Sequence, residues 1–173
     1  MKKLIYRISF ICLLLTTVQV FAQWQSDVRL TNNSANSLGS RDKSIAVYGN
    51  NIHVVWQDHR DGDAEVYYKR STNSGVSWST DQRLSPPGDY SGAPTLSLYQ
   101  STIHIFWVDQ RLAPVDIFYI RSTDNGATWQ PEIQITTDPM DSQYPSVSVS
   151  GSNVYLAWED NRHLPNKEIY FKR

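Results

Sequence analysis

One cysteine, two methionines and four histidines are all that the 173-residue chain holds of thiol, thioether and imidazole side chains. Cys12 lies in an apolar stretch near the N-terminus, so disulfide scaffolds, cysteine nucleophiles and zinc–thiolate sites are excluded from the rest of the chain. No segment keeps a helical spacing of apolar residues over ten positions, which argues against helices and coiled coils. There is little charge imbalance either, with 16 Lys and Arg against 17 Asp and Glu, and 40% of the residues are hydrophobic. Those values belong to an ordinary globular domain and exclude a disordered tail or a collagen-like fibre.

What is present begins with Lys2, Lys3 and Arg7, followed by an apolar core from Ile8 to Val20 and the small residues Val20 and Ala22. This is the pattern of a secretory signal peptide over 1–22, cut before Gln23. The run is shorter than the roughly 20 apolar residues that span a bilayer, and Thr16, Thr17 and Gln19 interrupt it. No membrane span is therefore expected after cleavage, and residues 23–173 are expected to be secreted, periplasmic or at the cell surface. Cleavage removes three basic and no acidic residues, leaving 13 basic against 17 acidic, net −4. No basic patch recommends nucleic acid as a partner.

Internal repeats organise the remainder. Ile52-His-Val-Val-Trp-Gln-Asp-His-Arg, Ile103-His-Ile-Phe-Trp-Val-Asp-Gln-Arg and Val154-Tyr-Leu-Ala-Trp-Glu-Asp-Asn-Arg set Trp56, Trp107 and Trp158 at intervals of 51 residues. Asp58, Asp109 and Asp160 keep the same interval, as do Arg60, Arg111 and Arg162. Ser71-Thr-Asn-Ser-Gly-Val-Ser-Trp and Ser122-Thr-Asp-Asn-Gly-Ala-Thr-Trp are again 51 apart, and Trp24 opens a segment similar to that opened by Trp78. Within one copy the apolar pattern alternates or runs continuously in four short stretches, near 44–48, 52–57, 65–71 and 78–85. Gly49-Asn50-Asn51, the polar run from Asp58 to Asp63, and Asn73-Ser74-Gly75 read as turns between them. A four-stranded antiparallel unit repeating at about 50 residues predicts an all-β fold built as β-propeller blades.

The Ser122 segment resembles the Asp-box, or BNR repeat, of the sialidase superfamily, which has the form Ser-x-Asp-x-Gly-x-Thr-Trp. Its residues here are Ser122, Asp124, Gly126 and Trp129, and the copy at Ser71, Asn73, Gly75 and Trp78 departs from it by Asn for Asp and by Ser77 for Thr. The expected turn has Asp124 accepting backbone N–H groups, Gly126 at positive φ and Trp129 buried against the sheet. The resemblance implies a six-bladed ring with the boxes on the face away from any catalytic pocket. Residues 24–31 then read as a lone fourth strand, 44–85 and 95–136 as blades, and 146–173 as three strands of another. Three blades' worth is half a ring. Either further blades follow downstream of a truncated frame, or a three-blade protomer pairs with a second copy through its exposed blade edge.

Candidate chemistry lies on the opposite rim. Arg60, Arg111 and Arg162 there suit a carboxylate clamp, or architectural Asp–Arg pairs repeated in every blade. The resemblance adds Arg41 as a binder of a sialic acid carboxylate with Arg60 beside it, and Asp63 or Asp61 as the acid/base. Arg41 is read as replacing Gly92 and Gln143 of the later copies, although the aromatic and Ile-Pro that flank the family's arginine are missing. The family's tyrosine nucleophile, its glutamate and its third arginine fall in later blades. Asp58, Asp61, Asp63 and Glu65 also admit a calcium reading, or a plain solvated turn; no other cofactor is expected. His53 and His104 share a slot that Tyr155 fills in the third copy, which suits a packing position. The expected function is glycan or protein recognition outside the cell, with exo-α-sialidase activity in an intact parent as the rival.

Overall fold

The computed structural model describes residues 24–39 and 43–173. The expected signal peptide and Arg41 lie outside the described residues. Among those described there is no helix, and the strands form three antiparallel sheets, none of them closed. Sheet 1 holds β1 (Ser37–Leu38), β2 (Ile45–Tyr48), β3 (Asn51–Asp61), β4 (Asp63–Ser71) and β5 (Gln82–Arg83). Sheet 2 holds β6 (Ser91–Tyr99), β7 (Thr102–Asp109), β8 (Asp116–Ser122) and β9 (Ile133–Gln134). Sheet 3 holds β10 (Ser142–Ser150), β11 (Asn153–Asp160) and β12 (Glu168–Lys172).

The sheets stack face on face in chain order. Successive side chains point to opposite faces of a strand, so Ile103, Ile105 and Trp107 of β7 share one face with Phe118 and Ile120 of β8. That face packs on Val55, Val66 and Tyr68 of sheet 1. The opposite face of sheet 2, with Phe106 and Ile117, packs on Val147, Leu156 and Trp158 of sheet 3. Sheet 2, covered on both sides, is therefore apolar on both: Ile103, Ile105, Trp107 and Ile117 are completely buried. The outer faces of the stack are not so covered, and Ile45, Val47, Ile169 and Phe171 are each more than half exposed.

Several sequence-based boundaries need correction. The polar run 58–63 is not a loop, because β3 and β4 continue through it with a bulge between Asp58 and Asp61 and only Gly62, at φ +105°, as the tip. The fourth strand of each unit is reduced to two residues, β5 and β9. Residues 24–31 form no strand; 24–29 are exposed, and no third strand lies beside them to pair with. Ser37 pairs with Asp58 as Ser91 does with Asp109 and Ser142 with Asp160. Leu38, opposite Gln57, thus holds the position of Gly92 and Gln143 that the sequence reading gave to Arg41. The first copy carries three extra residues ahead of β2, which a fixed 51-residue count hides.

Candidate functional site

Each sheet ends its second strand in the same clasp. Asp58, Asp109 and Asp160 are at most 1% exposed, a placement that requires every carboxylate oxygen to find donors. Trp56, Trp107 and Trp158 donate from Nε1 to Oδ2 of their aspartates at 2.8, 3.2 and 3.0 Å. Ser37, Ser91 and Ser142 donate from Oγ to the same oxygen at 2.8, 2.8 and 3.0 Å. The arginine two residues on then folds back: Arg60 donates from its backbone N and from Nε to Oδ1, each at 3.0 Å, and from Nη2 to Oδ2 at 2.7 Å. Arg111 and Arg162 do the same.

The guanidinium planes lie over the aromatic ring of the next strand, Arg60 on Tyr67 at 4.2 Å, Arg111 on Phe118 at 4.2 Å and Arg162 on Tyr170 at 3.9 Å. A second carboxylate completes each cation: Asp81 for Arg60 at 2.7 Å, Glu132 for Arg111, and Asp138 for Arg162 at 2.5 Å. Arg60, Arg111 and Arg162, three of the four candidate binding arginines, are thus engaged within the chain by two carboxylates and a ring. This arrangement accounts for the 51-residue recurrence of Trp-x-Asp-x-Arg as architecture.

These contacts set the proton affinities. Burial pushes the Asp58 and Asp109 carboxyls upward, but the bonds from Arg60 and Arg111, with those from Trp and Ser, outweigh it and hold both below the usual carboxylate range. At Asp160 the Arg162 bond is the largest influence, and that carboxyl too lies low. Glu65 and Asp116 behave in the opposite sense, raised chiefly by burial while Ser85 and Thr136 only partly offset it. The clasp aspartates therefore lend stability that is complete above about pH 4, the unfolded value, and is lost as pH falls. Ionisation of Glu65 and Asp116 opposes the fold as pH rises, and acidification from neutrality first relieves it. We expect stability in urea titrations to peak in mild acid and then fall, each clasp contributing at most about 1.4 kcal/mol per pH unit through the one proton it takes up. A stability that keeps rising from pH 5 to pH 3 would exclude that role.

The acidic hairpin does not gather its carboxylates. Asp58 turns to the clasp, Asp61 accepts the Tyr67 hydroxyl at 2.6 Å and Arg83 Nη1 at 3.0 Å, and Glu65 accepts the Ser85 hydroxyl at 2.5 Å. Asp63 sits exposed at the start of β4, opposite Asp61. Among the described residues no three His, Cys, Asp or Glu side chains converge to hold a metal. Tyr67 first, and then Arg83, hold the Asp61 carboxyl below its ordinary range. A general acid needs the reverse. His53 and His104 are buried with Nδ1 at 2.7 and 2.8 Å from the hydroxyls of Tyr68 and Tyr119. Burial, with a smaller contribution from Arg70 or Arg121, lowers both to about 4.

The box turns lie at the other end of the sheets, beside the hairpins that open each unit: Ser74 N donates to Asn50 O and Asn125 N to Ser101 O, both at 2.9 Å. Asp124 Oδ1 accepts from Ala127 N at 3.0 Å, Thr128 N at 2.9 Å and Ser122 Oγ at 2.8 Å, while Oδ2 accepts the Thr128 hydroxyl at 2.6 Å. Asn73 keeps the essential acceptor, taking Ser77 N and Ser71 Oγ on Oδ1 at 2.9 Å. Its Nδ2 donates to Ser77 Oγ at 2.8 Å, so the hydroxyl changes role from donor to acceptor. No protein-family model and no curated protein matches the chain.

A concave site that the sequence reading missed opens between sheets 2 and 3 on the clasp rim. A cavity of about 200 Å³ is lined by Tyr90, Ala93, Val108, Gln110, Val115, Gln143 and Tyr144. A second, of about 300 Å³, shares Gln110 and Val115 and adds Asp141. Ala93 and Tyr144 occupy bulges at φ +48° and +53°, a backbone region that non-glycine residues seldom adopt. Tyr144 is left half exposed. Tyr90 is fixed by donating its hydroxyl to Gln57 Oε1 at 3.0 Å. These positions differ from copy to copy in the sequence, and that divergence is the signal that could have located them.

Proposed function

We propose that the chain is a sialidase-superfamily-like β-propeller portion, exported by its N-terminal segment, whose role is to recognise a glycan outside the cell. The Asp-box turns, the 51-residue unit and the face-to-face succession of sheets support the propeller reading. So does the Lys43 ammonium, which bonds Val147 O at 3.4 Å and links the entry to sheet 1 with the first strand of sheet 3. The observation that carries glycan recognition is the Tyr90–Gln110–Gln143–Tyr144 cavity. Tyrosine faces suit the C–H face of a sugar ring, and glutamine amides offer both donors and acceptors to hydroxyls.

Recognition is favoured over hydrolysis because Asp61 is held as a carboxylate by Tyr67 and Arg83 and because Arg60, Arg111 and Arg162 are occupied. We expect the protein to bind one member of a panel of immobilised sialylated and asialo glycans, and Tyr144→Ala or Gln143→Ala to weaken that binding at least about tenfold at unchanged circular dichroism. A fluorogenic sialoside is expected to remain uncleaved. Turnover that disappears in Asp61→Ala or Asp63→Ala would replace this reading by the exo-α-sialidase one. Binding only to a protein ligand would move recognition away from the cavity.

A further inference from the structure

Residues 24–31 carry the sequence of a fourth strand but join no sheet, touching sheet 1 where Leu30 O accepts Lys69 Nζ at 2.5 Å, and among the described residues sheet 3 has three strands with the outer edge of β12 unpaired. We propose that the two belong together across a pair of molecules: residues 24–31 of one copy add as the fourth strand to β12 of a second copy. This inference rests on the repeat alone and is independent of the glycan reading.

The match is residue by residue. Trp24, Asp27, Arg29, Leu30 and Thr31 correspond to Trp78, Asp81, Arg83, Leu84 and Ser85 of sheet 1. In sheets 1 and 2 the last residue of the segment caps the third strand. Ser85 Oγ accepts Val66 N at 2.9 Å and donates to Glu65, and Thr136 Oγ1 accepts Ile117 N at 2.9 Å and donates to Asp116 at 2.7 Å. The preceding residue adds a ladder bond, Leu84 N to Val66 O at 2.8 Å and Ile135 N to Ile117 O at 2.7 Å. In sheet 3, Glu168 and Ile169 hold the registers of Glu65 and Val66, Glu168 opposite Asp160 as Glu65 is opposite Asp58. Both are exposed, Ile169 by 76%. Thr31 and Leu30 supply the hydroxyl and the N–H that those two positions take up in the other sheets. Arg162 reaches its carboxylates through Nε and Nη2, and Nη1, which binds Asp81 or Glu132 in the other clasps, is the donor for Asp27.

The connection points to a second molecule. Thr31 precedes Ser37 by six residues, as Ser85 precedes Ser91 and Thr136 precedes Ser142. In those two cases the six residues lead from the outer strand of one sheet to the first strand of the sheet stacked on it. The segment therefore belongs to a sheet lying on the free face of sheet 1, opposite the side that sheet 2 occupies. The same docking brings the exposed Ile45 and Val47 of one copy onto the exposed Ile169 and Phe171 of the other. Phe171 has the register of Tyr68, and Trp78 that of Trp129. Trp129 meets Tyr68 edge to face at 5.0 Å across the sheet 1–sheet 2 junction, and Trp78 would meet Phe171 likewise. A two-fold axis makes both junctions identical.

Sedimentation equilibrium of the full chain is expected to give twice the chain mass. Leu30→Pro, which deletes the N–H that pairs with Ile169, should return the mass to that of one chain while circular dichroism keeps the strand signal. Val28 and Phe171 stand at the register of the paired Gln82 and Tyr68. The double variant Val28→Cys, Phe171→Cys should therefore give a covalent dimer on oxidation. A single-chain mass for the unaltered protein, a dimer indifferent to Leu30→Pro, or a disulfide confined to one chain would each overturn the proposal.

Discussion

Asp109→Asn should lower stability by about 3–5 kcal/mol, the range for removing one charge from a buried, hydrogen-bonded ion pair. Oδ1 of Asp109 accepts from Arg111 N and Nε, and Oδ2 accepts from Trp107, Ser91 and Arg111 Nη2. Four of the five partners are N–H donors that cannot accept, and only the Ser91 hydroxyl could turn to do so, so an amide NH₂ in either orientation faces N–H groups of Arg111 or Trp107 where the carboxylate had accepted. The loss is a large share of the 5–15 kcal/mol that usually separates folded from unfolded states, and corresponds to a fall in Tm of roughly 6–20 °C for a chain of this size. Asp63→Asn, on an exposed carboxylate, should stay within about 0.5 kcal/mol of the parent. Thermal or urea unfolding of the two side by side decides it; equal small effects would show that the clasp adds little to the fold.

A contrast between two glycines is expected to be nearly as large. Gly75 and Gly126 take the same place in the two boxes, at φ +86° and +75°, so alanine at either meets the left-handed penalty of about 1–2 kcal/mol. A Cβ on Gly126 would fall 1.9 Å from the hydroxyl and 2.6 Å from Cζ of Tyr68, whereas on Gly75 the nearest atom is 3.6 Å away. Tyr68 cannot yield cheaply: it is 1% exposed, hydrogen-bonded to His53 and packed in the core between sheets 1 and 2. Gly126→Ala should therefore cost about 1–3 kcal/mol more than Gly75→Ala, the usual penalty of overpacking. Equal losses in chemical denaturation would contradict the packing of the Gly126 turn on sheet 1.

Much of this fold was readable because its strongest signals are periodic. Trp56, Trp107 and Trp158 each fall near the end of a sheet's second strand, and Gly75 and Gly126 each lie in the turn before the fourth. What periodicity could not convey is where a side chain's partners sit. Arg60, Arg111 and Arg162 look like unsatisfied cations until the carboxylates of Asp81, Glu132 and Asp138, about two dozen residues away, fold across them. Asp61 likewise reads as a free acid until Tyr67 and Arg83 reach it. The cavity escaped for the opposite reason. Tyr90, Gln110, Gln143 and Tyr144 come from the links and bulges of two different sheets and repeat in neither residue type nor length.

The bulge ahead of each clasp carries a consequence for how such copies can diverge. The bulge holds two residues in sheets 2 and 3, at 93–94 and 144–145, and in sheet 1 the sequence runs five residues between Leu38 and Ser44, yet Ser37, Ser91 and Ser142 reach their aspartates at nearly the same distance. The serine and the strand that follows act as anchor points, and the number of residues between them varies. Insertions at that point leave the strand register intact, because the hydrogen bonds on either side do not depend on its length. A protein assembled from near-identical copies begins with identical rims, and it can acquire a single binding site only by making one rim unlike the others. The bulge is where this architecture tolerates such asymmetry, and Tyr144 already stands there.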